Sequence, residues 1–401
     1  MGRNLNLLDQ AGCLSGITPS HGYTSGKMVN VAHVIRTYGI HGGETQLALM
    51  LRGEKSGYCE SFFFVFRDRA CEAYFRKIPR LQLFTLLPFE IKPGASRWSE
   101  LLITLTFLPI LQVRLIWALR KARAQICIAH GFQAAFVSWP AAVVFRNVIK
   151  FGYVHRSTKS RIGRSRFFSL LYAPYRVVAG VSESVAASLR SIVKEDKLMV
   201  VQNGVDWKVI QNRVDECRSR CRSVVTIVTV GRLLPGKDHE LVITAFSSLL
   251  RVHPECELWI VGDGVQMPTL MKRAKLLGIE KKVKFLGRVE DVPCILGQSD
   301  IFVHTSRFEG LSNAVLEAMA ARLPSVVIDA PGVSECHVPG ETGFVVPRDP
   351  RLLMKKLSVL AAEPDLRARM GKAAEERVKA VYSIETNRAR YVELYRRLGA
   401  C

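Results

Sequence analysis

Short apolar runs of strand length alternate along this chain with longer amphipathic stretches of helix length. In the N-terminal half, the apolar runs predict strands at residues 28–35, 61–66, 125–131, 148–155, 176–182 and 197–206. In the C-terminal half, they predict strands at residues 224–231, 256–264, 283–287, 300–306, 323–329 and 342–347. Strands that alternate with helices are typical of parallel sheets with helices on both faces.

The alternation also predicts how the chain is divided. We expect an α/β protein with two doubly wound, Rossmann-like domains that face a cleft. The predicted parts are a loose leader (1–26), an N-terminal domain (27–206), a polar linker (207–222), a C-terminal domain (223–382) and a last helix (383–401) that packs back on the N-terminal domain. In such sheets, ligands bind outside the carboxyl ends of the strands.

The net charge of +22 is unevenly distributed. Residues 1–200 contain 27 Lys and Arg but 11 Asp and Glu, whereas residues 201–401 contain 30 and 24. Between Glu100 and Glu183 there is no acidic residue, and the twelve basic ones are Arg114, Arg120, Lys121, Arg123, Arg146, Lys150, Arg156, Lys159, Arg161, Arg164, Arg166 and Arg176. Such a surface favours an anionic partner, either phospholipid or nucleic acid. No nucleic-acid-binding motif is recognised, which favours the membrane.

Residues 101–117 are the best candidate for membrane contact. The uncharged apolar run covers residues 101–113 and contains Pro109. It is too short for a span, which needs about 20 residues. An interfacial amphipathic helix, with Trp117 and residues 120–123 at the headgroup level, is one interpretation. A buried connecting helix of an α/β domain is the other, and the sequence leaves both open.

Cysteine and aspartate spacing argues against a metal centre. The ten cysteines include no C-x-x-C pair, and the closest two are Cys217 and Cys221. We therefore expect reduced thiols in a cytosolic protein. None of the twelve aspartates forms a D-x-D pair, so neither a metal nor a cofactor is predicted.

The stretch RFEGLSNAVLEAMA (307–320) carries the strongest chemical signal. Glu309 and Glu317 stand eight positions apart, and Gly310, Leu311 and Ser312 follow Glu309 between an apolar strand and a helix. A strand, a short glycine loop and a helix N-terminus together offer free backbone N–H groups to an anion. Glu317 can accept hydroxyl donors from a ribose, and Glu309 can meet a sugar.

A second loop, GRLLPGKDHE (231–240), follows the first strand of the C-terminal half. It places Arg232 and Lys237 five apart across a Pro-Gly turn. Arg as a planar fork and Lys as a point charge can clamp a diphosphate there.

The E-x7-E pattern with its flanks resembles the signature of the GT-B glycosyltransferases of family 4. The loop with Arg232 and Lys237 resembles the family's G-R-x-x-x-x-K element, whose cations neutralise the leaving nucleoside diphosphate. The segment 261–270 resembles the G-x-G segment that passes beside the nucleotide, at Gly262. Residues 285–293 resemble the loop whose backbone meets the base, around Arg288 and Val289. Residues 331–335 and 340–347 also match the pattern.

The resemblance extends more weakly to the N-terminal half. Gly42 and Gly43 resemble the family's G-G turn, where the missing Cβ lets a donor or acceptor approach closely. His155 resembles a histidine near the donor sugar, although His130 competes for that role. One departure is Arg322, which stands where the family has glycine in E-A-M-A-x-G-x-P. We expect that position to lie behind the helix, away from the donor.

The resemblance implies a retaining glycosyltransferase, independent of metal, with Glu309, His155, Arg232 and Lys237 at the reaction centre. It would move a sugar from a nucleotide-sugar donor, of the UDP or GDP type, to a glycolipid or lipid-linked saccharide in cell-surface polysaccharide or lipopolysaccharide synthesis. With the basic surface, we expect a cytoplasmic protein, peripheral on the inner face of the membrane. A nucleotide-sugar epimerase of the same fold and a basic nucleic-acid-binding protein are the alternatives.

Overall fold

The computed structural model describes residues 28–37, 39–53, 57–90, 97–156, 166–218 and 224–399. The predicted leader (1–26) and the residues Lys159, Arg161, Arg164 and Cys221 lie outside this part of the chain.

The N-terminal domain contains a seven-stranded parallel sheet. Its elements are β1 (Val29–Ile35), α1 (Gly42–Leu51), β2 (Tyr58–Phe66), α2 (Arg69–Phe75), β3 (Gln82–Leu87), α3 (Arg97–Thr106), α4 (Leu108–Lys121), β4 (Ile126–His130), α5 (Phe132–Val144), β5 (Lys150–His155), α6 (Arg166–Tyr172), β6 (Val177–Gly180), α7 (Glu183–Leu189) and β7 (Leu198–Val200). The strand order is β3-β2-β1-β4-β5-β6-β7. β2 is apolar on both faces because helices cover both faces, and Phe62 to Phe66 are all buried.

The C-terminal domain contains a six-stranded parallel sheet. Its elements are α8 (Trp207–Cys217), β8 (Thr226–Val230), α9 (His239–Leu249), β9 (Glu257–Val261), α10 (Met267–Leu276), β10 (Val283–Gly287), α11 (Val292–Gly297), β11 (Ile301–His304), α12 (Asn313–Ala320), β12 (Ser325–Ile328), β13 (Gly343–Val346), α13 (Pro350–Ala362), α14 (Pro364–Val381) and α15 (Ile384–Arg397). Short 3-10 turns cover Glu195–Lys197, Pro235–Lys237, Glu280–Lys282 and Ser334–Cys336. The strand order is β10-β9-β8-β11-β12-β13.

In both sheets, the order of the strands changes direction beside the first strand. In the N-terminal sheet the reversal lies between β1 and β4, and in the C-terminal sheet between β8 and β11. In doubly wound sheets, the crevice for a ligand opens at this switch point. The predicted fold class, two Rossmann-like domains, is confirmed.

The chain passes between the domains twice, and the two passages are hydrogen-bonded to each other. The Val205 amide donates to Tyr382 O (2.8 Å), and the Ile384 amide donates to Val205 O (3.0 Å). Beyond this point, α15 returns to the N-terminal domain, where Tyr391 and Leu394 are buried in its core. The last helix therefore contributes to the first domain.

The predicted polar linker at 207–222 requires a correction. Residues Trp207–Cys217 form α8, which Asp206 caps through the Val209 amide (3.2 Å). Ile210 and Val214, one turn apart, are buried in the C-terminal core. The polar residues between these apolar positions, Gln211, Asn212 and Arg213, conceal a one-sided amphipathic helix in the sequence.

The apolar segment 101–117 combines parts of both interpretations. It forms α3 and α4, which meet at Phe107 just before Pro109. One face of α4 is buried through Leu111 and Leu115, whereas Val113 and Trp117 are 69% and 57% exposed. Of the helices in the described ranges, none has the length and hydropathy that a bilayer span requires.

The prediction that all cysteines are reduced is wrong for two of them. Cys217 and Cys294 form a disulfide between α8 and α11, across 77 positions of sequence. Close packing of these helices brings the pair together: a Cβ added at Gly297 would lie 2.8 Å from Val214 O. Sequence spacing alone does not reveal such a contact. Asp291 lies beside the two sulfurs, but it pairs with Arg213 (2.6 Å), so we infer no metal site.

Candidate functional site

An ion pair between Lys237 and Glu309 marks the switch point of the C-terminal sheet. Lys237 belongs to the turn after β8, and Glu309 to the loop after β11. These strands are neighbours in the sheet although they are far apart in sequence. The strand order therefore brings together two residues that the sequence predicted in separate loops.

The surroundings of Glu309 keep its carboxylate ionised. Burial raises the pKa of Glu309, but the His304 hydrogen bond and the Lys237 charge outweigh burial and lower the pKa to about 2. The Glu309 carboxylate accepts from His304 Nε2 (3.3 Å), so this nitrogen carries the proton. Ser312 Oγ lies 3.2 Å from the same nitrogen. The predicted loop residues 309–312 thus form one hydrogen-bonded unit with His304.

The turn that carries Lys237 is fixed to the loop that carries Glu309. Thr305 Oγ1 donates to Lys237 O (3.1 Å) and to Asp238 O (3.0 Å). Asp238, in the left-handed region at φ 57°, accepts from Arg307 Nε (3.2 Å) and Arg348 Nε (2.5 Å). Burial raises the pKa of Asp238, but these two guanidinium groups hold it below the usual range. The backbone of Lys237 is consequently held in position, while its ammonium group pairs with Glu309.

Gly262 allows the ends of β8 and β9 to approach each other. Its φ is +131°, and a Cβ there would lie 1.9 Å from Gly231 O. Any side chain at this position would displace the backbone that leads to Arg232. Gly262 therefore lets the backbone before Arg232 pass close to the end of β9, and its donor-binding role stays a prediction.

Glu317 differs from Glu309 in its electrostatic environment. It lies in α12 beside Val315, Leu316 and Met319, which are fully buried. Glu317 itself is half-buried, and within the described part of the chain its carboxylate has neither a hydrogen-bond nor an ion-pair partner. Burial raises its pKa to about 7. A desolvated carboxylate without partners is suited to accept hydroxyl groups of a ligand.

The N-termini of two helices meet across the cleft. Asn313, the first residue of α12, donates through Nδ2 to Gly42 O at the start of α1 (3.1 Å). Asn203 Nδ2 in turn donates to Asn313 Oδ1 (2.9 Å). The predicted Gly42–Gly43 turn is thereby brought to the E-x7-E loop. Both helices present their positive dipole ends at this place.

The remaining predicted residues lie at the same edges of the sheets. His155 is buried at the end of β5, and its Nδ1 lies 2.6 Å from the Tyr153 hydroxyl. Arg232 is exposed directly after β8. Arg288, exposed, and Val289, packed on the C-terminal core, follow β10, which is separated from β8 by β9. The ion pair is thus central, and Arg288 and Val289 are peripheral.

The sequence does not predict a role in or beside the site for His304, Asn313, Asn203 or Arg156, which follows β5. His304 ends a strand that was interpreted only as a buried apolar run, and a polar residue at a strand end is a usable signal. Asn313 and Asn203 act through contacts between elements, which no local pattern contains.

Arg322, which departs from the family pattern, lies behind α12. It has φ +62° and pairs with Glu375 (3.0 Å).

The two domains have the arrangement of the GT-B fold, and comparison with known proteins shows a family to which the C-terminal domain is similar. Residues 223–377 match the model of the family described as glycosyl transferases group 1. This segment includes Lys237, Gly262, Glu309 and Glu317. The resemblance predicted from the sequence is therefore confirmed for this segment.

Two curated relatives each match less than half of the chain. Alpha-D-kanosaminyltransferase from Streptomyces kanamyceticus is 32% identical over 177 residues, 43% of this chain and 46% of the relative. The lipopolysaccharide core biosynthesis glycosyltransferase LpsE of Rhizobium meliloti is 29% identical over 169 residues, 42% of this chain and 48% of the relative. The chain spans about half the length of these relatives.

Solved structures resemble nearly the whole chain. Anabaena Alr3699/HepE in complex with UDP superposes with a TM-score of 0.76 at 18% identity and covers 92% of this chain and 100% of that one. Sucrose-phosphate synthase from Thermosynechococcus elongatus gives a TM-score of 0.75 at 17% identity, with 93% and 99% covered. At these identities the likeness concerns the fold, and it is the GT-B fold.

Proposed function

We propose that the protein is a retaining glycosyltransferase that moves a sugar from a nucleotide-sugar donor to a glycolipid or lipid-linked saccharide. The Lys237–Glu309 pair at the switch point carries this proposal. The printed names of similar proteins support it, since Alr3699/HepE was crystallised with UDP and with UDP-glucose. LpsE is named for lipopolysaccharide core biosynthesis, and a Corynebacterium glutamicum relative as a GDP-mannose-dependent phosphatidylinositol monomannoside mannosyltransferase.

The donor diphosphate would lie between the two facing helix N-termini, with Lys237 and Arg232 on the C-terminal side. In the ligand-free pair, Lys237 and Glu309 neutralise each other. Donor binding divides them: Lys237 turns to the diphosphate, and the ionised Glu309 accepts sugar hydroxyls. Glu317 accepts hydroxyl groups of the ribose. Departure of the diphosphate is assisted by the positive charges of Lys237 and Arg232 and by the helix N-termini, whose backbone groups are already in place, and the proposal includes no metal ion and no enzymic base.

The test is a screen of UDP-, GDP- and ADP-sugars by mass spectrometry with wild type, Lys237→Ala and Glu309→Gln. Each variant should lose about 100- to 1000-fold in turnover, the usual cost of one preorganised polar group. Lys284→Ala provides a matched control, because Lys284 pairs with Glu257 (2.7 Å) near the amino ends of the strands, away from the site. Wild-type turnover in Lys237→Ala or Glu309→Gln would refute the assignment. Interconversion of the donor sugar without transfer would instead indicate the epimerase.

The acceptor side of the proposal is a docking face of the N-terminal domain, formed by α4, α5 and α6. Exposed apolar side chains on these helices are Ile110, Val113, Trp117, Trp139, Val143, Phe167 and Leu170. The helices adjoin: Gln112 Nε2 of α4 donates to Val137 O of α5 (2.5 Å), and Trp139 Nε1 donates to Leu170 O of α6 (3.1 Å). Lys121 Nζ lies 4.9 Å from the Trp117 ring centre.

Exposed apolar groups with cations beside them favour an anionic bilayer surface over a protein partner, because residues 101–182 contain no acid. We therefore place the protein at the cytoplasmic face of a membrane. Sedimentation with anionic vesicles tests this, with the double variant Val113→Ser, Trp117→Ser. The matched control is Val252→Ser, Val265→Ser, which removes equally exposed apolar groups from the C-terminal domain. Equal pelleting of both variants would refute the docking face.

A further inference from the structure

The guanidinium of Arg156 occupies a junction of four elements at the cleft. Arg156 follows β5, and its Nη2 donates to the Tyr391 hydroxyl of α15 (3.0 Å). The same nitrogen lies 3.3 Å from His130 Nδ1 at the end of β4. A Cβ added at Gly43 of α1 would lie 3.9 Å from Arg156 Cδ. The side chain is therefore fixed by the sheet, α1 and the last helix together.

The positive charge of Arg156 has no counter-charge in the described part of the chain. Its two side-chain partners are a histidine and a tyrosine, and its Nε is buried without an acceptor. Burial, Arg156 and His33 all lower the pKa of His130, so this ring is neutral. Burial raises the pKa of Tyr391, so its hydroxyl is also neutral. A half-buried cation in neutral surroundings is costly for the protein unless an anion joins it.

A buried polar chain extends from Arg156 into the N-terminal domain. His130 Nε2 lies 2.9 Å from His33 Nδ1, and the carboxylate of Glu60 accepts from the Tyr395 hydroxyl (2.6 Å) beside His33 (3.4 Å). The carboxylate at the far end of this chain is thus engaged by His33 and Tyr395. This series of hydrogen-bonded side chains orients His130, and His130 lies against the guanidinium of Arg156. The series therefore positions Arg156.

Arg156 lies opposite the donor loop of the other domain. A Cβ added at Gly310 would lie 2.3 Å from Arg156 O. Gly310 directly follows Glu309, whose partner is Lys237. The uncompensated cation is therefore on the N-terminal wall of the same cleft, next to the start of α1.

We propose that Arg156 binds an oxyanion, the phosphate or carboxylate of a substrate in the cleft, and that Tyr391 and His130 position it. Arginine is suited to this task because its planar fork matches both groups. The inference rests on the proposed function in that the substrate is a glycosyl donor or acceptor. The oxyanion belongs either to the donor diphosphate or to the acceptor.

Titration calorimetry on the full chain distinguishes the two sources. In the first arm, UDP, GDP and ADP are titrated into wild type, Arg156→Gln and Arg156→Lys. In the second, inorganic phosphate is titrated into the protein, alone and with the best nucleoside diphosphate at saturation. Arg146→Gln is the matched control, because Arg146 is an exposed cation of the same domain. Thermal unfolding confirms that each variant is folded.

We expect Arg156→Gln to weaken one of the two ligands by roughly tenfold or more, as loss of a charge-assisted hydrogen bond does. Arg156→Lys should recover part of this loss, since it keeps the charge but not the fork. Weaker nucleoside diphosphate binding assigns the oxyanion to the donor, and weaker phosphate binding beside bound nucleotide assigns it to the acceptor. Unchanged affinities in both arms would overturn the proposal.

Two further results distinguish the Arg156 oxyanion site from the proposed glycosyltransferase function on which it rests. If no nucleoside diphosphate binds wild type but phosphate binds through Arg156, the proposed function fails and the oxyanion site stands. Tyr391→Phe should weaken the same ligand by less than Arg156→Gln and add nothing in the Arg156→Gln background. Additive losses would show that Tyr391 acts on the fold and not through Arg156.

Discussion

Glu309 and Glu317 belong to one loop-and-helix segment, yet their pKa values shift in opposite directions, and this gives a stability prediction. Glu317 has no hydrogen-bond or ion-pair partner among the residues that the structure describes, and burial raises its pKa from 4.5 to about 7. The folded state therefore binds the proton more tightly than the unfolded state, and the free energy of unfolding falls as pH rises from 4.5 to 7. At 1.36 kcal/mol for each pKa unit, the ionised carboxylate costs the ligand-free protein up to about 3 kcal/mol above pH 7.

The Glu317→Gln variant removes this cost while it keeps the shape of the side chain. We expect it to be more stable than wild type at pH 8.5, by up to about 3 kcal/mol, and nearly equal to wild type at pH 5. For a domain of this size the difference corresponds to about 6–12 °C in Tm. The assay is thermal unfolding of the ligand-free protein across this pH range.

Glu309→Gln serves as the opposite control. Burial raises the pKa of Glu309, but His304 and Lys237 lower it to about 2. The contribution of the ionised Glu309 to the free energy of unfolding is therefore present above pH 4.5 and lost as pH falls towards 2. This variant should be less stable than wild type by a constant amount between pH 5 and 8.5. A Glu317→Gln advantage that is absent, or that does not change with pH, would refute the assignment of a desolvated, unpaired carboxylate.

Three further predictions concern the metal ion, the close approach of strands and the membrane. Sugar transfer should persist in excess EDTA, because Lys237, Arg232 and the helix N-termini supply the positive charge; loss of transfer that Mg²⁺ or Mn²⁺ restores would contradict this. Gly262→Ala should unfold the C-terminal domain at lower temperature than Gly278→Ala, since a Cβ meets Gly231 O at 1.9 Å in the first case and nothing within 4 Å in the second; equal Tm values would contradict this. Vesicle binding should weaken as salt rises from 0.1 to 1 M, since the Debye length falls from about 10 to about 3 Å; salt-independent pelleting would argue against the cations.

The sequence predicts those parts of the fold whose signal is local. The strand predicted at 283–287 coincides with β10, Val283–Gly287, because Val283, Phe285 and Leu286 with the closing glycine are a sufficient local signal. Strand β3, Gln82–Leu87, was missed: it lies at the sheet edge and is only partly buried, so its apolar alternation is weak. Helix α8 was missed for a related reason, since only Ile210 and Val214 mark its buried face.

The candidate site likewise contains residues that a local pattern predicts and residues whose roles depend on distant contacts. Lys237 and Glu309 were each predicted from their own loop, and the strand order β8–β11 then makes them an ion pair. His304 and Arg156 could not be predicted in their present roles, because these roles depend on contacts from other elements. For Arg156 these include Tyr391, 235 positions away. Long-range partners of this kind follow from packing, which no local pattern encodes.

The return of α15 to the N-terminal domain determines the order in which the molecule can be completed during synthesis. Tyr391, Leu394, Tyr395 and Leu398 belong to the N-terminal core, whose first strand begins at Val29. A ribosome releases the entire C-terminal domain before it releases these residues. The usual order of folding, in which the N-terminal domain folds first, is therefore not available here. The N-terminal domain is completed only after the C-terminal domain has been synthesised. Until then, the apolar side chains of the N-terminal domain that α15 covers lack this part of their packing.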